Sequence, residues 1–229
     1  MHKTRKLCAA GIHFYTSTGI IFSFLAAMAL INRDIHLFLL SLFIAVIIDA
    51  TDGTLARKCS INEILPNFDG SLMDDLIDYL TYTFLPCVGL AQFNVLSQGW
   101  QWIAVIPMLA SLYGFCQKNA KTDESFVGFP SYWNIIFIYL YILNISTAWT
   151  IIILMLFSAL TFVPLHYIYP SKTRWMQGTT TLLSFFYALI TALICFFPEA
   201  NWSQNVALIS LVYPAYYSII SIIHHLRLT

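Results

Sequence analysis

Apolar residues run along this chain in long blocks separated by short polar interruptions. A bilayer-crossing helix needs roughly 20 mainly apolar residues, and eight stretches meet or approach that length: 8–31, 36–56, 70–95, 99–117, 130–144, 147–168, 176–197 and 205–226. The fifth is the shortest, and Asn144 and Ser146 divide it from the sixth. Several lack a clean polar stripe, as expected where lipid rather than water is the solvent. No internal repeat breaks the series. The pattern predicts an all-α, polytopic membrane protein of about eight transmembrane helices, built as one domain over 1–229. Composition sharpens this: 59% of residues are apolar and 10% charged, too few charges to cover a water-facing surface. A soluble globule and a disordered chain are excluded. Zero net charge leaves no electrostatic argument for a nucleic-acid partner.

The basic residues orient the chain. Lys3, Arg5 and Lys6 precede the first stretch, Arg57 and Lys58 follow the second, and Lys118 and Lys121 follow the fourth. Lys172 and Arg174 follow the sixth, and Arg227 follows the eighth; only Arg33 falls on the other side. With eight spans, ten of the eleven basic residues share one face. The positive-inside rule makes it cytoplasmic, with both termini inside. The first apolar run is too long for a typical signal peptide and reads as an uncleaved helix. Five widely spaced cysteines without a CxxC pair read as reduced structural residues.

The acidic residues are concentrated instead. Seven of the eleven lie within thirty residues: Asp49, Asp52, Glu63, Asp69, Asp74, Asp75 and Asp78. Ionisable groups inside membrane helices are costly and by default functional. Asp49 and Asp52 share one helix face, as do Asp74 and Asp78, whereas Asp75 points about 100° away from Asp74. Counting from Arg57 and Gly70, Asp49 and Asp78 both sit about 12 Å inside their helix ends. Two antiparallel helices then present four carboxylates at one level. Four such groups cannot all ionise unaided; protons or cations must sit among them. All-oxygen ligation suits Mg²⁺, Mn²⁺ or Ca²⁺, and paired divalent ions are the usual clamp for displacement at phosphorus. Gly53 allows a ligand to approach the backbone, and Arg57 can grip a phosphate with two prongs. A solvated helix end, internal salt bridges or a cation relay are the competing readings. Only Arg57 and Lys58 are near enough in sequence to pair with these acids, and a relay would spread them across the membrane.

The residues compose a motif: Asp49-x2-Asp52-Gly53-x2-Ala56-Arg57-x12-Gly70-x3-Asp74-x3-Asp78. This resembles the signature of the CDP-alcohol phosphatidyltransferase superfamily at all eight fixed positions. The spacer of twelve residues between Arg57 and Gly70 is longer than usual there and is similar to that of the bacterial phosphatidylcholine synthases. So are the stretches from Asp78 to Pro86, Ala120 to Thr122, and Phe126 to Asn134. The resemblance implies the superfamily fold and transfer of a phosphatidyl group from CDP-diacylglycerol to choline, giving phosphatidylcholine and CMP. It also implies two Mn²⁺ or Mg²⁺ ions, a homodimer among membrane lipids, and a bacterial inner-membrane location with the active site cytoplasmic. Carried over, Asp49, Asp52, Asp74 and Asp78 are metal ligands, Asp78 is the base, and Gly53, Ala56, Arg57 and Gly70 line the CDP site.

Choline has no N–H to donate, so aromatic faces should recognise it. Tyr79, Tyr82, Tyr132 and Trp133 are the expected contacts, with interfacial anchoring the competing role for each. Lys121 is expected at the lipid phosphate, or else as an ordinary cytoplasmic lysine. Ile61, Ile64, Leu65 and Phe68 have the spacing of a short helix lying on the membrane surface, with Glu63 and Asp69 solvated. Two readings stay open beside this one: a sister enzyme using serine, glycerol phosphate or inositol, and a membrane cation carrier.

Overall fold

The computed structural model describes residues 2–59, 64, 68–122 and 124–228. The surface helix expected around Ile61 and Leu65, and Glu63 with it, lies outside them. A helix occupies each of the eight apolar stretches. Helix α1 (His2–Ser17) continues into α2 (Gly19–Asn32) across Thr18, whose N–H still bonds Phe14. Helix α2 ends at Arg33 in a left-handed conformation, and the Asp34 carboxylate caps α3 (Ile35–Cys59) by accepting from Leu37 N at 2.9 Å. This two-residue connection makes α2 and α3 antiparallel neighbours.

After the undescribed segment, Asp69 caps α4 (Gly70–Asp78) by accepting from Leu72 N at 2.9 Å, and it is exposed as expected. Helix α4 runs directly into a π-helical turn (Tyr79–Phe84) and then α5 (Leu85–Gln92). A 3₁₀ turn (Gln101–Ala104) leads into α6 (Val105–Cys116), followed by α7 (Trp133–Ile142), α8 (Thr147–Thr161), α9 (Gln177–Phe196), α10 (Ser203–Ser210) and α11 (Val212–Leu228). Pro214 lacks the N–H that would bond Ser210, and the α10–α11 rod is interrupted at Leu211.

The apolar stretch 147–168 is not one helix. It stops at Thr161, just before Pro164, and His166–Ile168 forms a strand, β2, paired antiparallel with β1 (Ser125–Val127). Sequence periodicity missed this ribbon because a short apolar strand and a helix end look alike. Among the described residues, four helical segments are long and apolar enough to cross a bilayer: Lys6–Asn32, Ile35–Arg57, Gln177–Phe196 and Ser203–Leu228. Their outer faces are apolar as well. Phe185, Phe186 and Leu189 on α9 are more than half exposed, a surface for lipid to wet. Inside, Phe38 of α3 packs edge-on against Phe137 of α7 with ring centroids 5.2 Å apart.

Candidate active site

Helix α1 packs against both α3 and α4, and small residues set how closely. At Gly70 any side chain would overlap the His13 imidazole of α1. Ala56 packs beside Ala9 and Ile12. This close approach aligns the acidic faces of α3 and α4. Asp49, Asp74 and Asp78 each offer an oxygen within 4.8 Å of the others. Asp52 stands one turn further along α3; it is buried and hydrogen-bonded by Thr16 of α1. Asp78 is likewise buried.

The π-helical turn begins directly after Asp78 and projects Tyr82 to the same site, where its hydroxyl donates to Asp49 Oδ2 at 2.7 Å. Such turns recur at functional sites because they reset the helix phase. Asp75 lies outside the three-oxygen group and accepts from Lys121 Nζ at 2.6 Å. Lys121 lies 4.0 Å from Asp74 Oδ2 as well. Crowding by protein pulls the Lys121 ammonium down, but the carboxylates of Asp78, Asp75 and Asp74 more than reverse this and hold it above the ordinary lysine range.

A cavity of about 850 Å³ runs past these groups. Along α3 its lining runs from Leu42, Phe43, Val46 and Ile47 to Arg57, and Lys118, Lys121, Ile135 and Ile138 line it from other elements. Asp49 and Gly53 lie between on α3, and Asp74 and Asp78 line the cavity with them. Leu42 and Arg57 are about 22 Å apart along α3, so the cavity joins a cationic end to an apolar end through a carboxylate waist. Three clustered oxygens without a thiolate or imidazole among them suit a hard divalent cation.

Several expected site residues face elsewhere. Trp133 is 2% exposed and donates its indole N–H to Ser111 Oγ at 2.7 Å. A buried indole needs such a partner, and finding it on α6 turns the ring away from the cavity. Tyr79 donates to the Met108 carbonyl at 3.3 Å and meets Phe115 edge-on. Ala56 and Gly70 serve helix packing. Tyr82 and Tyr132 do line the cavity. Sequence reasoning missed Tyr169, Tyr187, Tyr213 and Tyr217, which line it too. The apolar stretches from residue 130 onward carry no Asp, Glu, Lys or Arg to mark these four; an available signal was the tyrosine run Tyr213, Tyr216 and Tyr217 on a single helix.

No protein-family model matches the chain. Curated proteins do. The phosphatidylcholine synthase of Pseudomonas aeruginosa is 35% identical over 196 residues, covering 85% of this chain and 82% of that protein. That of Borreliella burgdorferi is 30% identical over 214 residues, 92% of both chains. That of Legionella bozemanae is 44% identical over 144 residues, 62% of this chain and 66% of its own. A likeness of this extent, over a carboxylate cluster set in a mostly helical membrane protein, places the chain in the phosphatidylcholine synthase family.

Proposed function

We propose that this chain transfers the phosphatidyl group of CDP-diacylglycerol to choline, releasing CMP. The observation that carries the reading is the clustering of Asp49, Asp74 and Asp78 at the waist of a cavity with one cationic and one apolar end. A nucleotide-linked lipid has matching halves, a pyrophosphate and two acyl chains. The relatives' shared name supplies the acceptor.

In this reading Asp49, Asp52, Asp74 and Asp78 hold two Mg²⁺ or Mn²⁺ ions, and all-oxygen donors fit those ions. Such ions, when bound, supply positive charge against the pyrophosphate. Gly53 lets the nucleotide approach the α3 backbone, and the Arg57 guanidinium grips a phosphate. Lys121 reaches the phosphates from the cavity rim while Asp75 holds it in place. Asp78 takes the proton of the choline hydroxyl. The hydroxyl oxygen forms a bond to the phosphorus that carries diacylglycerol, and the bond from that phosphorus to CMP breaks. Ala56 and Gly70 act by seating α1 against α3 and α4.

The same proposal includes eight membrane crossings in a bacterial inner membrane, with both termini and the site cytoplasmic. The basic residues flanking the apolar stretches support it, and cysteine-accessibility mapping of the loops tests it. It also includes the homodimer implied by the superfamily resemblance, which cross-linking in membranes tests. Activity is tested with purified protein, CDP-diacylglycerol, Mn²⁺ and labelled choline. Labelled phosphatidylcholine is expected from the wild type and none from Asp78→Asn; transfer only to some other alcohol overturns the choline assignment.

A further inference from the structure

One side of the cavity is aromatic, and its rings touch in sequence. Tyr132 lies 6.2 Å from Tyr82, 6.5 Å from Phe126 and 6.0 Å from Tyr217, centroid to centroid. All four line the cavity, yet they come from the π-helical turn, β1, the segment before α7, and α11. Two features position them. Gly128 adopts φ 82°, and a side chain there would strike the Thr161 backbone, so the chain can turn sharply between Phe126 and Tyr132. Phe126 is also paired across a bridge with Lys121, whose ammonium is fixed to Asp75 on the acidic helix.

Two of the three hydroxyl hydrogens of this wall are spent inside the protein. Tyr82 donates to Asp49 at 2.7 Å and Tyr217 to the Ile168 carbonyl at 3.0 Å. Tyr132 packs edge-on against Tyr217. Of the three hydroxyl hydrogens, those of Tyr82 and Tyr217 are therefore not offered to a carboxylate or phosphate on the acceptor substrate. What remains is ring surface with a negative quadrupole, beside the Asp49 carboxylate. Tyr169, though nearby, is not available in this way: Phe126 stacks on it at 4.5 Å and Lys172 Nζ lies 4.2 Å from its centre.

We infer that Tyr82, Phe126, Tyr132 and Tyr217 form the seat for the acceptor's quaternary ammonium, with Phe126 and Tyr217 as specificity-determining residues. The inference rests on the choline reading and locates the end of choline that does not react. A trimethylammonium group, lacking N–H, loses nothing by meeting hydroxyls already committed, and aromatic faces attract its charge. An acceptor bearing an anion or several hydroxyls would leave its polar groups unpaired there.

The test compares Tyr217→Leu and Tyr217→Phe with wild type by steady-state kinetics and by calorimetric titration with tetramethylammonium. Tyr217→Leu is expected to raise the apparent KM for choline roughly tenfold with that for CDP-diacylglycerol unchanged, and to weaken tetramethylammonium binding equally. Tyr217→Phe, which keeps the ring, should stay within about threefold of wild type. An unchanged choline KM, or an equal rise for both substrates, overturns the seat. If wild type transfers to another alcohol but not to choline, the choline reading falls. Tetramethylammonium binding that is lost in Tyr217→Leu would then still support the seat, and its persistence would sink it.

Discussion

Replacing Tyr82 by Phe removes one oxygen and keeps the ring. Tyr82 is buried, and its hydroxyl donates to Asp49 Oδ2 at 2.7 Å, so the lost bond is a charge-assisted one in a site shielded from water. Such bonds contribute about 1.5–3 kcal/mol. At about 1.4 kcal/mol per decade that corresponds to roughly a 10–100-fold loss, the range also expected for a group that orients a metal ligand. The loss should appear in the metal requirement: the Mn²⁺ concentration for half-maximal turnover rises, and excess Mn²⁺ restores much of the rate. Choline KM should move little, because the π-face remains. The assay is labelled-choline incorporation at varied Mn²⁺, with each substrate saturating in turn. Wild-type metal dependence in Tyr82→Phe would refute the claim that Tyr82 positions Asp49.

Four further outcomes follow from named contacts. Chelation with EDTA should abolish turnover and Mn²⁺ or Mg²⁺ restore it; full activity after exhaustive chelation contradicts the carboxylate site. Asp74→Asn should raise the metal requirement while leaving the melting temperature near wild type, read by thermal unfolding in detergent. Gly70→Ala places a methyl group in the His13 ring and should destabilise by about 1–3 kcal/mol, partly recovered in the double variant with His13→Ala. Trp133→Phe strands the buried Ser111 hydroxyl at a cost of about 1–3 kcal/mol; its melting temperature should fall while choline KM does not change.

The chain's charges divide into two populations with different physical duties. The cations flank apolar stretches, where hydration is cheap, while the clustered acids sit on helix faces turned toward protein. Lys121 belongs to both groups: it follows an apolar helix, yet it bonds Asp75 and approaches Asp74. That bridge links the acidic helix to the hairpin whose next strand carries Phe126, coupling the metal-binding face to the aromatic wall in a single local structure.

How much of this was legible beforehand follows from the range of the interactions involved. Spacings of three and four residues put Asp49 with Asp52, and Asp74 with Asp78, on common helix faces, because helical geometry is local. Asp75 was correctly set apart by the same rotation. The apolar blocks located the helices, since backbone groups in lipid must be satisfied within each segment. Tertiary structure decided which way each apolar or aromatic side chain turns. In helices apolar all round, no amphipathic phase marks an inner face, so Trp133 and Tyr132, adjacent in sequence, could not be told apart. Ser111 claimed one and the cavity kept the other. The β1–β2 ribbon joins residues 39 to 43 positions apart, and Tyr132 meets Tyr82 and Tyr217 across 50 and 85 positions. Contacts at that separation arise only from packing, which a single chain's local pattern does not encode.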